Sequence, residues 1–198
     1  MSGTILITGG AGFIGSRLAR ELLEHGWNVR ALDNLDPQVH ESGQRPSYLA
    51  SEVELVVGDV RDGDCVRRAL DGADAVAHFA ARVGVGQSMY DIAQYTSVNA
   101  TGTAVLLEAL LDHPVEKLLV ASSMSVYGEG LYLGPDGDPT PPVARRRADL
   151  EQGRWEPVGP AGEALTPVAT PETKAPTLSS VYALGSTEPS GPTYSPSP

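Results

Sequence analysis

The stretch Thr4-Ile5-Leu6-Ile7-Thr8-Gly9-Gly10-Ala11-Gly12-Phe13-Ile14-Gly15 decides the fold. Its first five residues are a short apolar strand, and the residues from Phe13 onward open an amphipathic helix. Each glycine of the G-x-x-G-x-x-G turn has a physical reason. Gly9 permits the tight turn, Gly12 lets a ligand approach the backbone, and Gly15 allows the helix to pack close to the strand. The helix N-terminus then offers unpaired N–H groups and a positive dipole end to phosphate. Asp33 ends the second strand, 18 residues beyond Gly15. That spacing suits a carboxylate accepting from the 2′-hydroxyl of an adenosine ribose, which predicts NAD rather than NADP.

Composition sets the outer limits. The 198 residues allow one sizeable core, or one domain with an appendage. A net charge of −11 disfavours nucleic acid and anionic membrane as partners. No apolar run is long enough to span a bilayer, and no signal-peptide pattern opens the chain. Cys65 is the only cysteine, so no internal disulfide forms within one chain and no metal site is expected; a reducing cytoplasm fits best.

The chain divides near Gly128. Before it, apolar strands alternate with helices: Ile5–Thr8, Phe13–His25, Asn28–Leu32, Val53–Val57, Cys65–Leu70, Ala75–Phe79, Ile92–Leu111 and Lys117–Ala121. This alternation predicts an α/β fold of Rossmann type, a parallel sheet with helices on both faces, incomplete at its C-terminal side. After it lie 13 of the 16 prolines. Residues 129–184 therefore read as a proline-rich irregular segment, and 185–198 as a disordered Ser/Pro/Gly/Thr tail. The helix over Ile92–Leu111 carries Val105, Leu106, Leu107, Ala109, Leu110 and Leu111 as a band too wide for one face of a sheet, so part of it is expected to be exposed and to drive self-association.

Further polar residues fall where a dinucleotide site needs them. Gly58-Asp59-Val60 follows the third strand, and Asp59 either faces an adenine edge or caps the helix starting near Asp62. In His78-Phe79-Ala80-Ala81, small residues after the fourth strand let backbone come close to a cofactor, while His78 itself reads as a satisfied buried histidine. Asn99 lies inside the long helix, where an amide either bonds something or faces solvent.

These strings, together with Asp33-Asn34-Leu35 and Ser122-Ser123-Met124-Ser125-Val126-Tyr127-Gly128, resemble the extended short-chain dehydrogenase/reductase superfamily. Within it, the match is to NAD-dependent nucleotide-sugar epimerases and dehydratases, and the insertion including Thr166–Lys174 looks like that of a rhamnose 4-epimerase-like subgroup. The resemblance covers residues 1 to 128 and resumes at Ser179–Leu184. It implies NAD bound by Gly9, Gly12, Phe13, Ile14, Gly15, Asp33, Asn34, Asp59, Val60, Phe79, Ala80, Ala81 and Asn99. It also implies a UDP- or dTDP-linked sugar touching Ser88 and Ser123, and a homo-oligomer. In such enzymes a serine holds the sugar hydroxyl and a tyrosine in a Y-x-x-x-K motif acts as base; Ser123 and Tyr182 match these positions.

One position departs from that pattern. Four residues after Tyr182 stands Ser186, and the chain's only lysines are Lys117 and Lys174. An unassisted tyrosine near pKa 10 is a poor base at neutral pH, so the lysine's loss removes the charge that would lower it. The family-like Val181-Tyr182-Ala183-Leu184 passes straight into the low-complexity tail, which reads as a truncated or frameshifted product lacking the substrate domain. Two readings stand side by side: an NAD-dependent epimerase/dehydratase by descent, without turnover and not rescued by Ser186→Lys alone, or a non-catalytic NAD-binding module.

Overall fold

The computed structural model describes residues 3–177 and 182–183. Among these, residues 3–123 with 182–183 group into one compact unit and 124–177 into a second. The expected tail and position 186 lie outside the described residues.

The first unit is built on a parallel five-stranded sheet in the order β3-β2-β1-β4-β5. Its strands are β1 (Thr4–Thr8), β2 (Asn28–Asp33), β3 (Glu54–Val57), β4 (Ala75–His78) and β5 (Lys117–Val120). The helices are α1 (Phe13–Glu24), α2 (Gly63–Leu70), two short turns α3 (Val85–Ser88) and α4 (Ile92–Tyr95), and α5 (Gly102–Asp112). Adjacent strand residues point to opposite faces, and the core follows that alternation. Leu6, Leu32 and Val76 pack with α2 and α5, burying Val66, Leu70, Leu106 and Leu110. Their neighbours Ile7, Ala31 and Ala77 pack on the other face with Ala19 of α1 and with Leu49 and Val53 ahead of β3. After β3 the chain crosses to the far side of β1, so the order reverses between β1 and β4, the place where open α/β sheets leave a crevice at their carboxyl edge.

The single helix expected over Ile92–Leu111 is broken. Between α4 and α5 lies a π-helical segment, Thr96–Thr101. The run Thr-Ser-Val-Asn-Ala-Thr is rich in β-branched and hydroxyl residues, poor α-helix formers. The Thr103 hydroxyl also bonds back to the Asn99 carbonyl at 2.7 Å, competing with the regular ladder. The expected exposed apolar band is likewise corrected. Gly102, Thr103, Leu106, Ala109 and Leu110 form the buried face of α5, Val105 and Leu107 are half-covered, and of the band only Leu111 is exposed, at 79%.

The second unit is largely irregular backbone around a 3-10 turn (Met124–Tyr127), a short helix α6 (Arg147–Glu151), and β6 (Leu131–Leu133) paired antiparallel with β7 (Thr166–Val168). Ion pairs link its segments at the surface. Arg145 bonds Glu129 at 2.5 Å, and Asp149 holds both Arg146 and Arg154. Lys174 Nζ donates to the Tyr127 carbonyl.

Truncating α5 residues tests this burial pattern. Leu106→Ala is expected to destabilise the fold by about 2–5 kcal/mol in urea unfolding, and Leu111→Ala to change it by less than about 0.5 kcal/mol. Equal losses at both positions would contradict the covered band.

Candidate functional site

The turn after β1 fits between its neighbours only without side chains. Gly9 adopts φ +68°, and a Cβ there would lie 2.8 Å from the Ala80 nitrogen and 2.9 Å from the Phe79 carbonyl. A Cβ on Gly10 would lie 2.5 Å from the Ala31 Cβ. One on Gly15 would collide with the Gly9 carbonyl, so α1 starts pressed onto the turn. Gly12 differs: a Cβ there meets a single atom, the Gly9 carbonyl at 3.3 Å. The space above Gly12 is open, and α1 begins without a side-chain cap and with Phe13 and Ile14 exposed. A closed floor under an open helix N-terminus is the cradle a pyrophosphate requires.

Asp33 stands beside this cradle, nearly buried. Its Oδ2 accepts from the Ala11 N–H at 3.0 Å and its Oδ1 from the Leu35 N–H at 2.9 Å. A carboxylate has room for about four acceptor contacts, so two bonds position the group and leave capacity for a ribose hydroxyl. Leu35 is held at φ +52°, a left-handed conformation unfavourable for a branched side chain. The bond to Asp33 and the burial of Leu35 keep it there. Behind Asp33, His40 Nε2 lies 3.7 Å from Oδ1, and Tyr48 donates to the Ala11 carbonyl at 2.9 Å.

A buried relay joins the sheet to the π-helical segment. Thr103 donates its one hydroxyl proton to the Asn99 carbonyl, so it accepts from His78 Nε2 at 2.9 Å. His78 Nδ1 then accepts from the Thr8 hydroxyl at 2.6 Å, and Thr8 Oγ1 accepts from the Ala80 N–H at 3.2 Å. Burial pushes the His78 pKa down to about 4, so the ring is neutral, as the relay requires. The expectation of a satisfied buried histidine holds. Asn99 faces inward too: its side chain accepts from the Arg82 N–H at 2.8 Å and donates to the Arg82 carbonyl at 3.1 Å.

Other candidates take different places. Asp59 neither caps α2 nor stands open, because Arg61 grips both its oxygens, at 2.9 and 2.6 Å, and holds the carboxyl below its ordinary range. The α2 cap is Asp62, which accepts from the Asp64 and Cys65 N–H groups. The Val60 side chain is buried against Gly102, where a Cβ would stand 2.7 Å from Val60 Cγ2. Asn34 Oδ1 accepts from the Asp36 N–H at 3.1 Å. Phe79 and Ala80 are half-buried with their backbone against Gly9, and Ala81 is exposed. Ser88 is fully buried and donates to the Val85 carbonyl at 2.7 Å. Ser123 is half-buried just beyond β5, and Tyr182 is half-buried in the helical pair 182–183.

The family model described as "NAD dependent epimerase/dehydratase family" matches residues 5–148. The chain belongs to this family. It is 39% identical over 156 residues to a dTDP-L-rhamnose 4-epimerase of Burkholderia thailandensis, covering 77% of this chain and 43% of that protein. It is 38% identical over 164 residues to a UDP-glucose 4-epimerase of Drosophila melanogaster, covering 75% and 47%. The chain thus spans about half the length of the curated relatives it matches. Among solved structures, a Thermus thermophilus UDP-glucose 4-epimerase in complex with NAD shares 31% identity with a TM-score of 0.64, covering 92% of this chain and 47% of that one.

Several site residues escaped the sequence reading. Gly10, Leu35, His40, Tyr48 and Arg82 all support the crevice of this family member. Gly10 had a legible signal as the second glycine of the turn. The others act through contacts between distant segments or through backbone conformation, which no local pattern records.

The relay gives a direct test by pH. An unfolded histidine binds its proton below about pH 6.5, whereas folded His78 stays neutral until about 4, so stability falls as pH drops through this window. The loss is on the order of 3 kcal/mol once the pH has fallen to about 4, where folded His78 itself begins to take up a proton. By NMR, the His78 ring is expected to show no titration between about pH 8 and 5; a midpoint near 6.5 would contradict the relay.

Proposed function

We propose that this chain binds NAD at the carboxyl edge of its sheet and that the reaction served by this site is 4-epimerisation of a UDP- or dTDP-linked sugar. The Asp33 carboxylate, bonded to the Ala11 N–H of the glycine turn, carries this reading. It sets an anionic acceptor beside a phosphate cradle, the donor set that an adenosine ribose and pyrophosphate call for. The cradle residues are Gly9, Gly12, Phe13, Ile14 and Gly15, with Asn34, Asp59, Val60, Phe79, Ala80, Ala81 and Asn99 around it, all within the proposed cofactor-binding segment 1–128. The curated relatives named above act on dTDP-L-rhamnose and UDP-glucose, which supports the substrate class. A single buried cysteine, Cys65, supports a cytoplasmic setting.

The chemistry divides between two side chains. In the intact mechanism Tyr182 would take the proton of the sugar C4 hydroxyl while Ser123 holds that oxygen in place. When bound, NAD⁺ supplies the hydride acceptor for C4 oxidation. The phenol needs a neighbouring cation to ionise at neutral pH, and Ser186 occupies the motif's lysine position. We therefore infer that the chain binds cofactor without turning over sugar. That matches the reading of a non-catalytic NAD-binding module.

Calorimetry tests the cofactor assignment. NAD⁺ is expected to bind at least about tenfold more tightly than NADP⁺, because a 2′-phosphate would meet the Asp33 carboxylate at close range. Asp33→Asn is expected to narrow that ratio. Equal affinities in the unmodified chain would overturn the assignment. Coupled assays on UDP-galactose and dTDP-rhamnose, with Tyr182→Phe as control, are expected to show no turnover; activity abolished by that substitution would overturn the inference of inactivity.

A further inference from the structure

We infer that Arg82 is a latch that closes the dinucleotide crevice and sets the rate at which the cofactor enters and leaves. The inference rests on the NAD reading above. Arg82 lies four residues past the end of β4, and its guanidinium reaches the loop that follows β2: Nη1 donates to Asp36 Oδ2 at 3.1 Å and Nη2 to Gln38 Oε1 at 3.0 Å. Asp91 Oδ2 lies 3.5 Å from Nη2. The strand order places β1 between β2 and β4. A bridge between the loops of those two flanking strands, about 10 Å apart at a spacing of 4.8 Å per strand, therefore crosses the carboxyl end of β1. That end is the Gly9–Gly12 turn, where the pyrophosphate is placed.

The bridge is built from the side of the crevice whose backbone is clamped by side chains. The Arg82 backbone is clamped on both its N–H and its carbonyl by the Asn99 amide. Its guanidinium lies over the Tyr95 ring, 5.8 Å from the centroid. Asn99 is in turn fixed to the sheet by the Thr103–His78–Thr8 relay. The opposite side is the β2 loop, anchored at its base by buried Leu35 and His40 and tied across the crevice through Asp36 and Gln38, with a further amide bond between Gln38 and Gln87 at 2.9 Å. A rigid arm thus grips a loop across the ligand path. A half-exposed pair of this kind adds little to global stability. What it changes is the fraction of time the crevice stands open.

The latch predicts a kinetic signature. Removing Arg82 opens the crevice in both directions, so NAD⁺ association and dissociation rates are both expected to rise about threefold or more while Kd stays within about twofold. Asp36→Asn is expected to reproduce Arg82→Ala, and Arg82→Lys to restore part of the slow exchange, since a lysine keeps the charge without the fork. Stopped-flow protein fluorescence measures association, and chase of bound NAD⁺ by excess ADP-ribose measures dissociation. Hydrogen exchange without cofactor gives a second readout: amides of residues 36–40 are expected to exchange faster in Arg82→Ala, with β1 unchanged.

A direct phosphate contact by Arg82 would give a different pattern. Arg82→Ala would then slow association and weaken Kd, and Asp36→Asn would tighten binding by freeing the guanidinium; that result overturns the latch. Unchanged rates in both variants overturn it as well and leave the cofactor assignment standing. Failure of the unmodified chain to bind NAD⁺ overturns both.

Discussion

Everything at the carboxyl edge of this sheet depends on space that residues 9 and 10 leave empty. Their missing side chains let the turn after β1 touch the backbone after β4 on one side and Ala31 of β2 on the other. Any Cβ at either position would overlap an atom of the main chain or of a packed neighbour, and interiors at crystal-like density have no slack to absorb it. The consequence is directional. With the turn pressed down between two strands, α1 starts at a fixed height and aims its N-terminus across the crevice. Asp33 is thereby brought to the Ala11 N–H.

Two polar systems hold the crevice walls in place. Asp33 spends two acceptor positions on backbone and thereby stabilises a left-handed Leu35, tying the shape of the β2 loop to the group that would meet the cofactor. The Thr8–His78–Thr103 relay does the same for the β4 side, joining sheet to π-helical segment through a ring that burial keeps neutral. Each system ties a loop to the sheet through buried polar side chains. For that reason the burial of a polar side chain here, otherwise costly, accompanies complete hydrogen bonding: among the described residues no buried side-chain polar atom lacks a partner.

The features legible from the sequence were those fixed by local spacing. Strand positions, the glycine turn and the placement of Asp33 at the end of β2 all follow from residues close together in the chain. The long helix was misread because its apolar residues keep helical spacing straight through Thr96–Thr101, while the hydroxyl and β-branched residues there open the ladder into a π-helical segment. The wide apolar band on α5 looked exposed because periodicity does not reveal how far neighbouring elements wrap around it. Asp59 was read as a candidate cap of α2 because its partner, Arg61, two residues away, gave no pattern, whereas Asp62 holds that cap. Arg82 was invisible for the opposite reason: its partner Asp36 is 46 positions distant, and only the strand order brings the two loops together.

The central claim is that the open space above Gly12 and beside Asp33 is where NAD binds. An ¹⁵N-labelled chain titrated with NAD⁺ tests it most directly. The account predicts that the largest amide shifts fall on residues 9–15 and 33–35, while Thr4, bonded to Asp74 at the opposite edge of the same sheet, stays still. Shifts concentrated at that amino edge, or a glycine turn unmoved at saturating NAD⁺, would contradict it.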